Sequence, residues 1–517
     1  MKIKESDLKQ SDRVGYGVAE KFSLSSCVPL VASVLFVSGA SASQGDCSNL
    51  TALQVPDTTI TSAEYVPAAN GLPGYCDLLA TVAPQTDVEV RLPDDWSGRY
   101  LHFGGGGFDG RIPNLNSAAM SSGNPLSNHF VVVGSNGGHR AINYPGASFS
   151  TDKTLTLDYA SGALQEADLV GNAAVLAYYR QPARYRYFDG CSNGGKNASV
   201  VMAVLGDNYD GVVAGDGVYG HSNENTGGSD MSGMTAAWAR AQQQVPLSPA
   251  KGALVYSAEL AACDALDGIA DGIISNPEAC HFNPEVLLCA GSSSDSCLTA
   301  AEIQAVNTIR SDLKDATGRV IGAPYGLGDP SQAAPSTGAL SSGFLAMAFR
   351  TATYDPKTFD VDNDFTTAMQ VLDGVYGMSG SIEGIGHYLK QGKKLIAYHG
   401  WDDMLVQPYV STRLYAALKK RVGPDVANAR LYMFPGMGHC GGGVGASIAD
   451  LLSGIVNWVE HGIAPDDSLV AAKLNSTGGV VLTRPLCEYP KTPRYAGGLP
   501  SDARSFICVA PRDGDSE

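Results

Sequence analysis

Positive charge is scarce in this sequence. Against 52 Asp and Glu stand 35 Lys and Arg, giving a formal net charge of −17 over 517 residues. Such a chain repels nucleic acid and anionic membranes, which argues against both as partners, although local charge still decides whether a small anion is accepted. Long apolar runs are missing too: residues 27–40 (CVPLVASVLFVSGA) form a run too short to span a bilayer. There is no internal repeat, and no low-complexity tract beyond GSSSDS at 291–296. What remains, 44% apolar and 17% charged residues with 61 Gly and 27 Pro, suits a globular, loop-rich protein large enough for more than one domain, not a disordered or coiled-coil chain.

The short apolar run has a context of its own. Lys2, Lys4, Lys9, Arg13 and Lys21 precede it and the small residues SASQ follow. This order predicts a secretory signal over 1–43, cut after Ala42 or Ser43, and hence a secreted or periplasmic protein. Export changes how the cysteines read. Cys27 lies in the signal, and ten remain. An even number in an oxidising compartment predicts five disulfides. Proximity in sequence suggests Cys47–Cys76, Cys263–Cys280, Cys289–Cys297 and Cys487–Cys508, which leaves Cys191 and Cys440 to each other.

Strand-like apolar runs ending in glycine turns occur at DVEVRLP (87–93), RYLHFGG (99–105), HFVVVGS (129–135), RYRYFDG (184–190) and YDGVVAGDG (209–217), with a helical pattern at 162–180. The pattern resumes at KKLIAYHGWDD (393–403) and ARLYMFPGMGH (429–439), with a helix at 409–423 between them. Strands alternating with helices predict an α/β fold with a parallel sheet. Residues 44–217 and 391–517 are expected to form one catalytic domain. Residues 218–390, rich in Ser, Ala and Gly, read as an inserted lid domain.

Three strand ends carry chemistry. DGCSNGGKNA (189–198) puts Ser192 at the apex of a strand–turn–helix, with Cys191 within the turn. A serine hydroxyl needs a histidine to take its proton and a carboxylate to orient that histidine. Asp402 and Asp403 follow LIAYHGW, and His439 follows LYMFPGMG. The chain order Ser, acid, His is that of an α/β-hydrolase. Singly, each has a plainer reading: a turn serine, a helix cap, a structural histidine. An oxyanion hole would take one donor from the Asn193 N–H and another from the glycine run in HFGGGGFDG (102–110), at Gly105 or Gly106. That run could instead be a flexible turn. It lacks the following helix and acidic residue of a dinucleotide loop, and nothing else in the sequence asks for an organic cofactor. A Cys191–Cys440 bond would staple the residue before Ser192 to the residue after His439. Plain loop-closure stability is the alternative role for it.

GCSNGG, HGWDDMLV and FPGMGHC resemble the tannase/feruloyl esterase family, marked by Cys-Ser…Asp…His-Cys, and the likeness runs over about 45–510. It implies an α/β-hydrolase fold with an inserted lid, secretion, and hydrolysis of aromatic-acid esters of the feruloyl, galloyl or terephthaloyl type. The family's G-W-x-D-x-x-V pattern places its aspartate on Asp403. One departure is Lys196, where the family usually has Arg, so that a cation is kept and its planar fork lost. CDALDGIADGII (263–274) would by itself be equally a solvated acidic turn or a site for a hard cation. The resemblance implies a structural Ca²⁺ there, held by the side chains of Asp264, Asp267 and Asp271 and the carbonyls of Ile269 and Ile273. In FLAMAFRTATYDP (344–356), Phe344, Phe349 and Arg350 are candidate contacts for an aromatic ester, Arg350 being either a carboxylate clamp or a solvated helix residue. The alternatives are a hydrolase of the same fold acting on non-aromatic esters or amides, and a non-catalytic binding protein on this scaffold. No feature assigns an oligomeric state.

Overall fold

The computed structural model describes residues 44–511 apart from 119, 122, 218–227 and 229, so the expected signal at 1–43 lies outside the described residues. Nine strands form the main sheet: β1 (Thr58–Val66), β2 (Tyr75–Val82), β3 (Thr86–Pro93), β4 (Arg99–Phe103), β5 (Val131–Ser135), β6 (Tyr185–Cys191), β7 (Gly211–Gly215), β8 (Lys394–Gly400) and β9 (Ala429–Phe434), in the order β1-β2-β3-β5-β4-β6-β7-β8-β9. The contacts β1–β2, β2–β3 and β3–β5 are antiparallel. From β5 across to β9 every pair is parallel. This is the α/β architecture the alternation of runs predicts. The C-terminal ends of β4, β6, β7, β8 and β9 therefore share one edge, the edge where open parallel sheets build their sites.

Seven helices matter below: α1 (Ala163–Tyr179), α2 (Asn193–Val204), α3 (Met231–Gln242), α4 (Pro249–Cys263), α5 (Ala333–Phe349), α6 (Tyr409–Val422) and α7 (Leu451–His461). Alternate residues of the central strands face two different cores. Phe188, Val212, Ala214, Leu395 and Ala397 pack with Val170 and Ala174 of α1 and Val201 of α2. Their neighbours Tyr187, Val213, Ile396 and Tyr398 pack with Leu452 and Ile455 of α7. Burial on both faces explains why these strands read as unbroken apolar runs.

Among the described residues between β7 and β8 the chain is mainly helical, with short strands at Leu313–Lys314 and Val320–Gly322. Met234 and Trp238 of α3 and Phe344 and Met347 of α5 share a third core with Phe149, Tyr159, Met404 and Val406, which come from the segments flanking the sheet. The described residues belong to one compact unit. All five disulfides join the pairs expected from sequence.

Candidate active site

β6 ends at Cys191 and α2 begins at Asn193, so Ser192 alone turns the chain, at φ 64° and ψ −121°. A left-handed non-glycine residue costs about 1–3 kcal/mol and persists only where its surroundings fix it. The strain thus lies on Ser192, and Cys191, which sequence puts within the turn, closes the strand. The Ser192 N–H donates to Gly215 O (3.0 Å), and Ser192 O accepts the first helical bond from the Lys196 N–H (3.0 Å). The glycines around it let α2 start against the sheet: a Cβ on Gly190 would stand 2.6 Å from the Gly194 backbone, and one on Gly195 2.2 Å from Gly215 O.

Asp403 lies in the turn after β8, fully buried. Its Oδ1 accepts the N–H groups of Leu405 (2.7 Å) and Val406 (2.9 Å), and its Oδ2 is 2.6 Å from His439 Nδ1. His399 Nε2 is 3.3 Å from that same oxygen. Burial alone would raise this carboxyl, but His439 and His399 hold it well below the usual carboxylate range. Asp402, one residue earlier, faces elsewhere: it accepts the Tyr256 hydroxyl of α4 (2.9 Å), and burial pushes it up to about 7. Of the two strand-end aspartates, the geometry joins Asp403 to His439.

For His439, burial disfavours the charged ring, but the Asp403 carboxylate and then Asp216 outweigh it and raise the imidazole to about 8. With Nδ1 engaged by Asp403, the second nitrogen, Nε2, is buried without a hydrogen-bond partner. Behind this pair is a second buried carboxylate that sequence reading missed. Asp216 accepts the N–H groups of Gly400 (2.9 Å) and of Cys440, while His399 Nε2 stands 3.8 Å away and His399 Nδ1 meets Ser411 Oγ at 2.7 Å. Their signal was available: AGDG and YHGW each put a polar side chain at the end of a strand. The Cys191–Cys440 bridge, with Cα atoms 5.9 Å apart, brackets Ser192 and His439 from outside.

Ser192, Asn193 and His439 line a cavity of ≈ 310 Å³ together with Gly106, Gly107, Tyr159, Trp238 and Phe344. Of the two glycines singled out for the oxyanion, Gly106 borders this cavity. Gly105 instead backs onto Asp109, whose carboxylate would stand 2.7 Å from a Cβ there. Phe344 is at the cavity, but Phe349 and Arg350 are not among its walls. α5 stops at Phe349, which stacks on Tyr354, and Arg350 takes a left-handed conformation (φ 54°) as it leaves the helix, exposed to solvent. The carboxylate clamp expected of Arg350 is therefore not formed here.

A family model described as tannase and feruloyl esterase matches residues 73–347 and 331–509. The chain belongs to that family. It is thus a carboxylic ester hydrolase. An uncharacterized esterase of Xanthomonas campestris pv. campestris is 31% identical over 93% of each chain. The mono(2-hydroxyethyl) terephthalate hydrolase of Piscinibacter sakaiensis is 29% identical over 87% of each. The crystal structure of feruloyl esterase B from Aspergillus oryzae matches with a TM-score of 0.77 at 25% identity, covering 90% of this chain and 100% of that one.

Within this tannase and feruloyl esterase member, the Lys196 ammonium is buried. It donates to Tyr159 O (3.2 Å) and Ala160 O (3.5 Å) and lies 4.5 Å from the centre of the Tyr159 ring. Two separate carbonyls suit a point charge and need no planar fork. Burial lowers Lys196 to about 8, against the pull of Asp109.

The acidic loop is built differently. α4 ends at Cys263, bridged to Cys280. Asp264 Oδ1 accepts the N–H groups of Asp271 and Ile273, and its Oδ2 that of Gly272. Asp267 accepts the Ile269 N–H and the Ser275 hydroxyl. Asp271 Oδ2 pairs with the buried Arg484, while Asp271 Oδ1 is buried without a partner. Arg484 balances only one of the three carboxylates, and burial raises both Asp267 and Asp271. The orphaned Asp271 oxygen offers a hard divalent cation one ligand. The oxygens of Asp264, Asp267 and Asp271 do not lie within 4.8 Å of one another and would have to close in to supply the rest.

Proposed function

We propose that the protein is an exported serine esterase that cleaves esters of aromatic acids. The observation that carries this reading is His439, tied through Nδ1 to the buried Asp403 and leaving Nε2 free beside the cavity that Ser192 lines. Ser192 Oγ attacks the ester carbonyl as its proton passes to His439 Nε2. Asp403 keeps the ring in the tautomer with its proton on Nδ1 and stabilises the imidazolium. The carbonyl electrons move onto an oxyanion that takes N–H donors from Asn193 and from the glycine turn at 105–107. The intermediate collapses, His439 returns its proton to the departing alcohol, and an acyl group is left on Ser192. Water, deprotonated by His439, then attacks that acyl group, a second intermediate collapses, and the carboxylic acid leaves with Ser192 restored.

The acid class is supported by the walls. Tyr159, Trp238, Phe344, Met231, Met234 and Leu340 offer a ring-shaped acid apolar and π contacts, and the volume fits one small aromatic acid. The names of the relatives, a terephthalate monoester hydrolase and a feruloyl esterase, point the same way. Export is supported by the five disulfides, which persist in oxidising compartments. Among the described residues no helix is long and apolar enough to cross a membrane. A calcium ion would be held by Asp264, Asp267 and Asp271 with the carbonyls of Ile269 and Ile273; bound there it supplies structural charge neutralisation and takes no part in ester cleavage.

Measuring kcat/KM for methyl ferulate, methyl gallate, chlorogenate, hydroxyethyl terephthalate and aliphatic esters of equal size tests this. Higher values for at least one aromatic ester are expected. Preference for butyrate esters over every aromatic one would refute the acid class and leave Ser192 chemistry standing.

A further inference from the structure

The two proposed oxyanion donors come from different strand ends, Asn193 after β6 and the glycine turn after β4. A tetrahedral oxyanion meets both only if their spacing is fixed to a fraction of an ångström. The Asn193 side chain joins the two turns. Its Nδ2 donates to Asp109 Oδ1 at 2.6 Å, and its Oδ1 lies 3.0 Å from the Tyr159 hydroxyl. The same hydroxyl lies 2.9 Å from Gly107 O, so its single proton is shared between two acceptors, one on each turn. Asp109 closes the circuit, its own N–H donating to Gly106 O at 2.9 Å. The peptide planes of Gly106 and Gly107 are thereby held to the first residue of α2.

Asp109 is itself fixed by shape. A Cβ on Gly137 would stand 2.3 Å from its Oδ2, and one on Gly105 2.7 Å, so the carboxylate fits only because both positions lack side chains. Lys196, which anchors the backbone of Tyr159, also sets its positive charge against Asp109. Burial pushes Asp109 up to about 7 against the pull of Lys196, so burial and Lys196 together limit the repulsion it would exert on a developing oxyanion.

We infer that Asp109 and Tyr159 are positioning residues that grip the Asn193 side chain and so set the spacing of the oxyanion donors. The inference rests on the esterase reading above, and its test separates the two. Methyl ferulate hydrolysis and the binding of two probes are measured for the full protein and for Ser192→Ala, Asp109→Ala, Asp109→Asn and Tyr159→Phe. Phenylboronic acid takes the Ser192 Oγ lone pair into its empty boron orbital while the serine proton goes to His439, placing a boron-bound oxygen in the hole. Ferulate, a product acid, needs no such hole.

Misplacing reacting partners by about 1 Å costs on the order of 100-fold. Asp109→Ala should therefore lower kcat by roughly that factor with KM within about twofold, weaken phenylboronic acid about equally, and leave ferulate binding unchanged. Asp109→Asn keeps an acceptor for Asn193 and should recover most of the loss. If Asp109→Ala does not fold, Tyr159→Phe, which keeps the ring that walls the cavity, serves alone, with about a 10-fold loss of boronate affinity and a much smaller change in ferulate affinity expected. Wild-type boronate affinity in the folded variants, or equal weakening of both probes, would overturn the grip. An inactive Ser192→Ala beside a fully active Asp109→Ala would sink only this inference, whereas an active Ser192→Ala would remove the esterase reading beneath it.

Discussion

Two loops of this molecule bury carboxylates in glycine-turned backbone beside a disulfide, and they treat that charge in opposite ways. At the sheet edge Asp403 meets two backbone N–H groups, His439 and His399, and its carboxyl is held well below the ordinary range. In the acidic loop Arg484 pairs with Asp271 alone, and burial drives Asp267 and Asp271 upward instead. At Asp403 the two histidines offset the burial, whereas Asp402 beside it and Asp216 behind it are themselves raised by burial. The acidic loop relies on Arg484 and on carboxyls raised by burial, so a cation from outside would favour their ionised forms. A buried charge without compensation costs several kcal/mol, so the two loops should respond oppositely to mutation and to added cation.

The sharpest break is at the sheet edge. Ser192→Ala or His439→Ala should lower kcat/KM by about 10⁴-fold or more, read by ester hydrolysis. In thermal unfolding Ser192→Ala should leave the melting temperature nearly unchanged, whereas His439→Ala should lower it because the buried Asp403 loses its nearest partner. Asp403→Asn should cost about 10³–10⁴-fold, because the histidine loses both its orientation and its countercharge. Asp402→Asn preserves an acceptor for Tyr256 and should stay within about threefold of the parent. If Asp402→Asn were the crippled variant and Asp403→Asn the active one, the acid would move by one position.

Next in size is the staple. Replacing Cys191 and Cys440 together by Ser frees two loops whose cysteines are 249 residues apart in sequence. Loss of alignment between Ser192 and His439 should cost about 100-fold in kcat. The accompanying fall in melting temperature should be the lesser effect. Full activity in a destabilised protein would reduce the bridge to loop closure alone.

A smaller effect lies in pH. Because Asp403 and Asp216 favour the charged ring against burial, His439 titrates near 8 rather than at its ordinary 6.5. Below that point the ring is protonated and cannot take the serine proton, so kcat/KM should rise with pH through a midpoint near 8. In Asp403→Asn the residual activity should follow a limb moved to lower pH. A midpoint at or below 6.5 in the parent would contradict the electrostatics of this edge.

Legibility in the sequence divides along similar lines. Strands β4 to β9 are readable because burial on both faces makes them apolar runs, and glycines mark their ends. Strand β1 (TTITSAEYV) has no fully buried position and carries no such signal. β2 alternates buried and partly exposed residues, a half-buried pattern that stands outside the alternating strand–helix region. Ser192, His439 and an aspartate at 402 or 403 are legible through chain order and strand-end placement, and the family resemblance chooses Asp403. Most cavity walls are not: Phe344 is a candidate from sequence, but Met231, Met234 and Trp238 are apolar residues of a helix, indistinguishable from ordinary core until α3 and α5 pack together. Arg350 is open between a clamp and a solvated residue in sequence, and only the helix end, which leaves it exposed, separates the two.

The smallest effect on activity, and the one that tests the other loop, is removal of calcium. Asp264 already has its oxygens engaged by backbone N–H groups, so the loop keeps its shape from within, and the proposed cation would add charge neutralisation at Asp267 and Asp271. Binding to the folded state alone stabilises by about 2.7 kcal/mol at a ligand concentration one hundred times Kd. Chelation should therefore lower the melting temperature, and calcium in excess of the chelator should restore it. Turnover well below the transition should be unchanged, because Ser192, Asp403 and His439 draw no charge from this loop. Asp267→Asn keeps an acceptor for the Ile269 N–H and removes one negative charge, so it should shrink the calcium-dependent shift without the cost of stranding Arg484 that Asp271→Ala would bring. Identical melting curves in chelator and in calcium would mean that Arg484 and the raised carboxyls suffice, and the contrast between the two loops would be one of degree only.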